Sequence, residues 1–417
     1  MTADPLVLVR GIHFAATLLA AGTTGFIFMV AEPVMGKIGF AALHRHLTLL
    51  IWFALAIAVV SGAIWLLLLA SDILGTSIAD VGLHGGAWPV LTDTRFGQVW
   101  CIRLALAPLL ALLLPWPATR WLQITIAVAL LVLPALVGHA GATPGMAGDL
   151  HLASDMFHLL AAGAWLGGLP AFVLFLRRAF PSVGRVQDAA VVRVVDRFSR
   201  LGVISVGILL ASGLINSWNL LNGPRDLFTS DYGRLVALKI ALFGGMVAIA
   251  AVNKFHLTPR LPKPAALRAL GRNSLAEICL GLGVLMVVAL VGTLPPSVHV
   301  HATSTGIPPD AAFVHIHTPE VMAEVTIEPG RVGRTDVTIR VSREDLSNYP
   351  AKDVRLALDP PTAGAQTIER NAIEQPDGRW LVNDLTLTAS GIWATRVIVR
   401  PPAGDPIVLD APVVIER

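Results

Sequence analysis

Eight runs of about 20 apolar residues within the first 297 positions constrain this chain more than any other feature. A run of that length with few charges crosses the hydrocarbon core of a bilayer as an α-helix, because a helix satisfies its backbone hydrogen bonds internally. The runs predict helices near 6–31, 47–70, 96–115, 119–138, 151–176, 198–220, 233–254 and 273–295. Across the chain 54% of residues are hydrophobic and only 14% are charged, against roughly 25% charged in soluble domains. The first run exceeds a signal-peptide core of roughly 7–15 residues, and only Arg10 is basic there, so it is read as a retained helix.

The loops orient the helices. Loops 32–46, 115–121, 177–200 and 254–272 hold 14 Lys or Arg, while loops 71–95, 139–150 and 219–232 hold 2. The first set is therefore expected on the cytoplasmic side. Both termini, and everything after position 297, then lie outside, in the periplasm of a two-membrane bacterium.

The eight helices read as two parallel repeats of four. RFGQVWCIRLALA (95–107) aligns with DYGRLVALKIALF (231–243), pairing Gly97 with Gly233 and Arg103 with Lys239. SGAIW (61–65) resembles SGLINSW (212–218), and IHFAATLLAAG (12–22) resembles FHLLAAGAWLG (157–167), pairing His13 with His158. After a Pro- and Ser-rich linker, LPPSVHVHATSTGIPPD, short alternating runs rich in Val, Ile and Thr predict about seven strands and an antiparallel β-sandwich. The predicted domains are an eight-helix unit, 1–297, and a soluble all-β unit, 298–417.

Histidine marks the candidate sites. The stretch 138–158, GHAGATPGMAGDLHLASDMFH, holds His139, His151 and His158. His151, Asp155 and His158 fall at i, i+4 and i+7, on one helix face within about 60°. Such residues in a membrane usually face the bundle interior and mark ion paths or cofactors. His13 lies at a similar depth on the first helix. In the outer domain His299 and His301 form one His-x-His pair and His315 and His317 another, with Met322 nearby. Alternate residues of a strand share a face, which makes each pair a bidentate imidazole set. His84 is a lone loop histidine. His44, His46 and His256 fall on the basic side, where headgroup contact accounts for them. Arg103 and Lys239 are expected to snorkel to the outer interface. Trp52, Trp88, Trp100, Trp116, Trp121, Trp165 and Trp218 are expected to form an aromatic belt, and WLGGL (165–169) a close helix contact. Cys101 and Cys279, near opposite membrane faces, are read as unpaired small buried hydrophobes.

GHA closing helix 4, DMFHLLAAGAWLGGL on helix 5 and VNKFHLTPRL at the end of helix 7 resemble the copper resistance protein D (CopD) family. The segment FVHIHTPEVMAEVTIEPGRVG (313–333) resembles the periplasmic domain fused to many members. The resemblance implies an inner-membrane protein of copper homeostasis, passing copper ions from periplasm toward cytoplasm, with His139, His151 and His158 as ligands and Asp155 beside them. Related proteins often carry an N-terminal copper-binding β-domain. Here the β-domain is C-terminal, which leaves a separate periplasmic copper chaperone open as donor.

Imidazoles with few carboxylates disfavour Ca and Mg, and the methionines lean toward Cu(I). No phosphate-binding motif for ATP is evident, so a secondary or facilitated carrier is expected rather than an enzyme or pump. The expected partners are the lipid bilayer and copper, with no nucleic acid. In the transport reading the outer domain docks over the helix 4–5 entrance and hands copper to it, and Glu277 and Cys279 are the only ligand candidates in the inner half. One alternative is a heme b protein with His13 and His158 as axial ligands and Arg103 and Lys239 at the propionates. Another is a copper sensor without transport.

Overall fold

The computed structural model describes residues 5–74, 77–83, 87–137, 145–179, 188–221, 223–294, 308, 310–317, 321–343, 347–361 and 366–416. His84, His139, His299 and His301 lie outside these residues, as do the side chains of Met146 and His317. The chain divides into two compact units, Met1–Val300 and His301–Arg417.

Among the described residues the first unit holds eight helices long and apolar enough to cross a membrane. They are α1 (Pro5–Gly36), α2 (Ala41–Ser71), α3 (Arg95–Leu113), α4 (Pro117–Val137), α5 (Gly148–Arg178), α6 (Ala189–Trp218), α7 (Asp231–Arg260) and α8 (Pro264–Val291). The chain is a multi-pass membrane protein. Local chemistry sets the boundaries. Gly36 takes φ +65° where α1 gives way to α2, a conformation that favours glycine. Pro264 begins α8, where its missing N–H costs nothing.

The two repeats carry the same device at the same place. A short helix, Ala87–Asp93, precedes α3, and another, Asp226–Thr229, precedes α7. Thr94 Oγ1 accepts the Gly97 N–H at 3.0 Å and its hydroxyl donates to the Val90 carbonyl. Ser230 Oγ accepts the Gly233 N–H at 3.0 Å and donates to the Asp226 carbonyl at 3.1 Å. A Cβ on Gly97 would collide with the Val90 carbonyl, and one on Gly233 with that of Asp226. Thr94→Ala and Ser230→Ala are each expected to cost about 1 kcal/mol, read as a lower midpoint of thermal unfolding in detergent. Unchanged midpoints would mean that the caps are dispensable.

α1 and α5 cross at equivalent glycines. Gly22 packs against the backbone of Gly163, Gly167 and Gly168, and Gly167 against the Leu18 carbonyl. The core continues with Phe26, Phe172 and Phe198, the last two stacked at 4.4 Å. Helical turns widen to π geometry at Phe26–Ala31, Gly163–Gly167 and Asn253–Leu257.

Three expectations require correction. Trp88, Trp116, Trp121 and Trp218 are exposed, as a membrane belt requires, but Trp100 and Trp165 are buried within the bundle. Cys101 and Cys279 are free, and both are exposed on helix surfaces rather than buried. Arg103 does not snorkel: it is only 3% exposed. Its neighbours α1 and α4 supply acceptors deeper in the bundle, a lateral partnership that helix position alone does not reveal.

The second unit is an all-β domain of two antiparallel sheets. Nine strands are found: β1 (Ala312–His317), β2 (Met322–Glu328), β3 (Gly333–Ser342), β4 (Asp353–Asp359), β5 (Ile368–Asn371), β6 (Ile373–Glu374), β7 (Arg379–Leu387), β8 (Gly391–Arg400) and β9 (Ile407–Ile415). One sheet has the order β1-β2-β3-β7-β6 and the other β5-β4-β8-β9. Alternate Val, Ile and Leu residues, such as Val325, Ile339, Leu356 and Val397, are buried with Trp393.

Candidate functional site

Each repeat positions one histidine against one serine. In the first, His13 on α1 is 4% exposed. Arg103 Nη2 lies 2.7 Å from His13 Nε2. A guanidinium only donates, so Nε2 accepts and Nδ1 carries the proton. That N–H points at the Ala58 carbonyl, 3.0 Å away, with Ser61 Oγ at 3.2 Å. Arg103 also donates to the Leu130 carbonyl and to Thr17. The histidine ring sits between Trp65 and Trp100, at centroid distances of 5.6 and 5.5 Å. Trp100 is itself held by an indole hydrogen bond of 3.0 Å to the Gly62 carbonyl. Both ring nitrogens of His13 are thus engaged.

In the second repeat His158 on α5 faces Ser212 on α6, with Nδ1 and Oγ 2.9 Å apart. Ser212 donates to the Ile208 carbonyl at 2.6 Å, so its oxygen accepts from His158 and the histidine again carries its proton on Nδ1. Nε2 keeps its lone pair, and no hydrogen-bond partner for it occurs among the described residues. Ser154 bonds Asn216 at 3.1 Å, and Asn216 Nδ2 donates to Asp155 Oδ1 at 3.2 Å. Lys239 on α7 lies within electrostatic reach of both Asp155 and His158. His151 completes this face of α5. It is 3% exposed, and its Nδ1 is buried with no hydrogen-bond partner among the described residues. An orphaned buried nitrogen costs about 1–3 kcal/mol unless something fills the gap.

The repeat register turns the two clusters into a comparison. Where the second copy has His151 and Asp155, the first has Leu6 and Arg10. Where the second has Asn216, Tyr232 and Val236, the first has Trp65, Phe96 and Trp100. Arg10 is occupied elsewhere, donating to the Gly292 carbonyl at 2.7 Å and lying over Trp65. The first cluster is aromatic and cationic, with two arginines. The second is polar and carries a carboxylate with two histidines, with Lys239 within electrostatic reach. Sequence reading paired the histidines but missed Ser61 and Ser212 as their partners, and Asn216 as that of Asp155. The paired SG dipeptides were the signal that could have found them.

The heme alternative finds no room at His13. The cavity against its ring holds about 20 Å³, lined by Trp100, Arg103 and Leu130 among others. That suits a single water, whereas ligand pockets run to roughly 300–1,000 Å³. Both ring nitrogens of His13 are engaged within the bundle, so the ring as placed offers no nitrogen to a porphyrin iron.

In the all-β domain β1 lies at the edge of its sheet. His315 stands opposite Glu324 of β2, and His317 opposite Met322. Cross-strand partners share a face, so the register brings these four positions to one side. His315 Nδ1 lies 3.8 Å from Glu324 Oε1. Met322 is buried. Among the described residues no group of three or more His, Cys, Asp or Glu side chains is placed to hold a metal ion.

Comparison with known proteins finds relatives of the chain. A family model described as copper resistance protein D matches residues 192–291, and one described as copper resistance protein D-like, N-terminal domain, matches residues 1–149. Inner membrane protein YebZ of Escherichia coli (strain K12) is 30% identical over 305 residues, covering 71% of this chain and 100% of the relative. Copper resistance protein D of Pseudomonas syringae pv. tomato is 32% identical over 223 residues, 50% of this chain and 71% of the relative. Copper transport protein CutJ of Bacillus subtilis (strain 168) is 26% identical over 343 residues, 75% of this chain and 59% of the relative.

Proposed function

The chain belongs to the copper resistance protein D family, and on that premise we propose that it carries copper across the inner membrane from periplasm toward cytoplasm, without enzymatic chemistry. Copper is the substrate, and the second-repeat cluster is where it enters. The observation that carries this reading is the contrast between the copies. Among the described residues the second has His158 Nε2 and His151 Nδ1 without hydrogen-bond partners, and Asp155, where the first has its ring nitrogens engaged and two arginines.

Imidazole nitrogens suit copper in either oxidation state. Asp155 offsets the ion's charge, and Ser212 fixes the His158 ring so that Nε2 points its lone pair at the site. His139, outside the described residues, is proposed as a further ligand. Lys239 sits beside Asp155 in the absence of metal, and an arriving cation displaces it electrostatically. Both termini and the β-domain are periplasmic in this reading. There His315, His317 and Met322, with His299 and His301, capture copper, delivered free or by a periplasmic chaperone.

The test is copper content and transport measured together. Purified full-length protein, loaded with Cu(I) and desalted, is expected to be colourless and to retain about two copper ions per chain. Reconstituted into vesicles, it should move copper down an imposed gradient. His315→Ala with His317→Ala should lose the outer ion and slow transport at low copper, while leaving transport at saturating copper intact. Copper binding without any vesicle transport would support a sensor instead. Loss of transport at every copper concentration in the double variant would make the outer pair part of the path itself.

A further inference from the structure

The function proposed above leaves one built site unused. Glu277 on α8 is 2% exposed, deep among apolar residues. Asn253 Nδ2 donates to its Oε1 at 2.6 Å, and Asn273 Nδ2 in turn donates to Asn253 Oδ1 at 2.8 Å. Trp165 lines the same cavity. No ion pair to Glu277 occurs among the described residues. A cavity of about 260 Å³ opens against it, running past Ser274 to Lys254 and Thr258 at the basic end of the bundle. Of the residues lining that cavity only Lys254 is otherwise charged, and its ammonium faces Asp196 on α6 at 3.5 Å. α5 contributes apolar side chains and Trp165 to the wall.

Two of the three groups around the carboxyl have a shared oddity. Trp165 lies in the π-helical turn Gly163–Gly167, and Asn253 opens the π-helical turn Asn253–Leu257. Such turns give up regular hydrogen bonding and recur at functional sites. Here both turns border the cavity at one buried carboxyl, and Asn253 donates to it. The motifs that hold them, GAWLG and NKFHL, have no part in the copper entrance.

We propose that Glu277 is a proton-binding site, loaded and unloaded through this cavity from the side of the basic loops. A buried carboxyl without a basic partner is stable only when it holds a proton or a cation. Its surroundings are hard amide oxygen and N–H donors, with no sulfur or imidazole, which suits a proton and not Cu(I). The proton adds to a carboxylate oxygen of Glu277 and leaves to water in the cavity. On the transport reading, which this deepens, the site couples proton movement to copper passage. Proton binding itself stands without it.

The experiment is pH-difference infrared spectroscopy of the full chain in lipid, wild type beside Glu277→Gln. Between roughly pH 5 and 9 the wild type should show a protonated-carboxyl C=O band that the variant lacks. Gln can still accept from Asn253, so the fold is kept. Asn253→Ala should move the band's midpoint by on the order of one pH unit, which a merely structural glutamate would not do. Identical difference spectra in wild type and Glu277→Gln overturn the proposal. Coupling is read separately, with a pH-sensitive dye in vesicles given copper. Proton movement should accompany copper in the wild type and vanish in Glu277→Gln, and its persistence in the variant overturns coupling. A wild type that moves no copper defeats the transport reading, while the infrared band still decides the proton site.

Discussion

Replacing His158 with alanine is expected to remove about one copper ion per chain and to cut vesicle transport at least about tenfold, while His13→Ala leaves the copper content unchanged. The two histidines occupy equivalent places in the repeats and rest on equivalent serines, so their sequence context does not separate them. Their second nitrogens do. His158 Nε2 is unpartnered among the described residues, whereas His13 Nε2 accepts from Arg103 at 2.7 Å. A metal ion at His13 would have to evict a buried guanidinium and then sit beside it. His13→Ala should instead act on stability. It leaves the Arg103 charge buried without its histidine, a defect worth about 3 kcal/mol or more, seen as a large drop in the unfolding midpoint. Copper loss in His13→Ala equal to that in His158→Ala would sink the asymmetry and restore a shared site. Ser212→Ala should fall between, since the ring keeps its ligand nitrogen but loses its orientation. A metal content unchanged in His158→Ala would move the entrance elsewhere on the periplasmic face.

That asymmetry also marks how far the sequence could be read. The spans, the repeat and the paired residues were legible, because apolar length and helical spacing survive in a single chain. Gly97 with Gly233, His13 with His158 and Arg103 with Lys239 fall at matching points of the two copies. How the two copies differ in their contacts was less legible. The register that pairs His13 with His158 already sets Leu6 and Arg10 where His151 and Asp155 stand, but the partners of each histidine emerge only in space. Arg103 was misplaced for a related reason. Snorkelling is judged from position along one helix, while burial was decided by acceptors on α1 and α4. The π-helical turns had no signature, so Asn253 read only as part of the end of helix 7 and Trp165 as a belt residue. Strands β5 and β6, of four and two residues, were too short to show alternation.

Gly167→Leu is expected to abolish the folded protein, and Gly22→Leu to do the same. Both glycines lie where α1 crosses α5, and they are equivalent by the repeat that pairs His13 with His158. A Cβ at Gly167 would meet the Leu18 carbonyl oxygen, and one at Gly22 the backbone of Gly163 and Gly167. The obstacle in each case is main chain, which cannot rotate away as a side chain can. The helices must then separate along their length. In a bilayer that loss is hard to recover, because lipid tails fill the gap as well as leucine does and association rests on close packing. Even Gly167→Ala should cost about 1–3 kcal/mol, and leucine several times that displacement. The measurement is monodisperse yield after detergent extraction, with Gly25→Leu as the control. Gly25 lies one turn from Gly22 on the same helix, yet a Cβ there meets nothing within 4 Å. Full yield of Gly167→Leu would show that the repeats do not depend on this crossing. Equal loss in Gly25→Leu would place the defect in insertion of α1 rather than in the contact between copies.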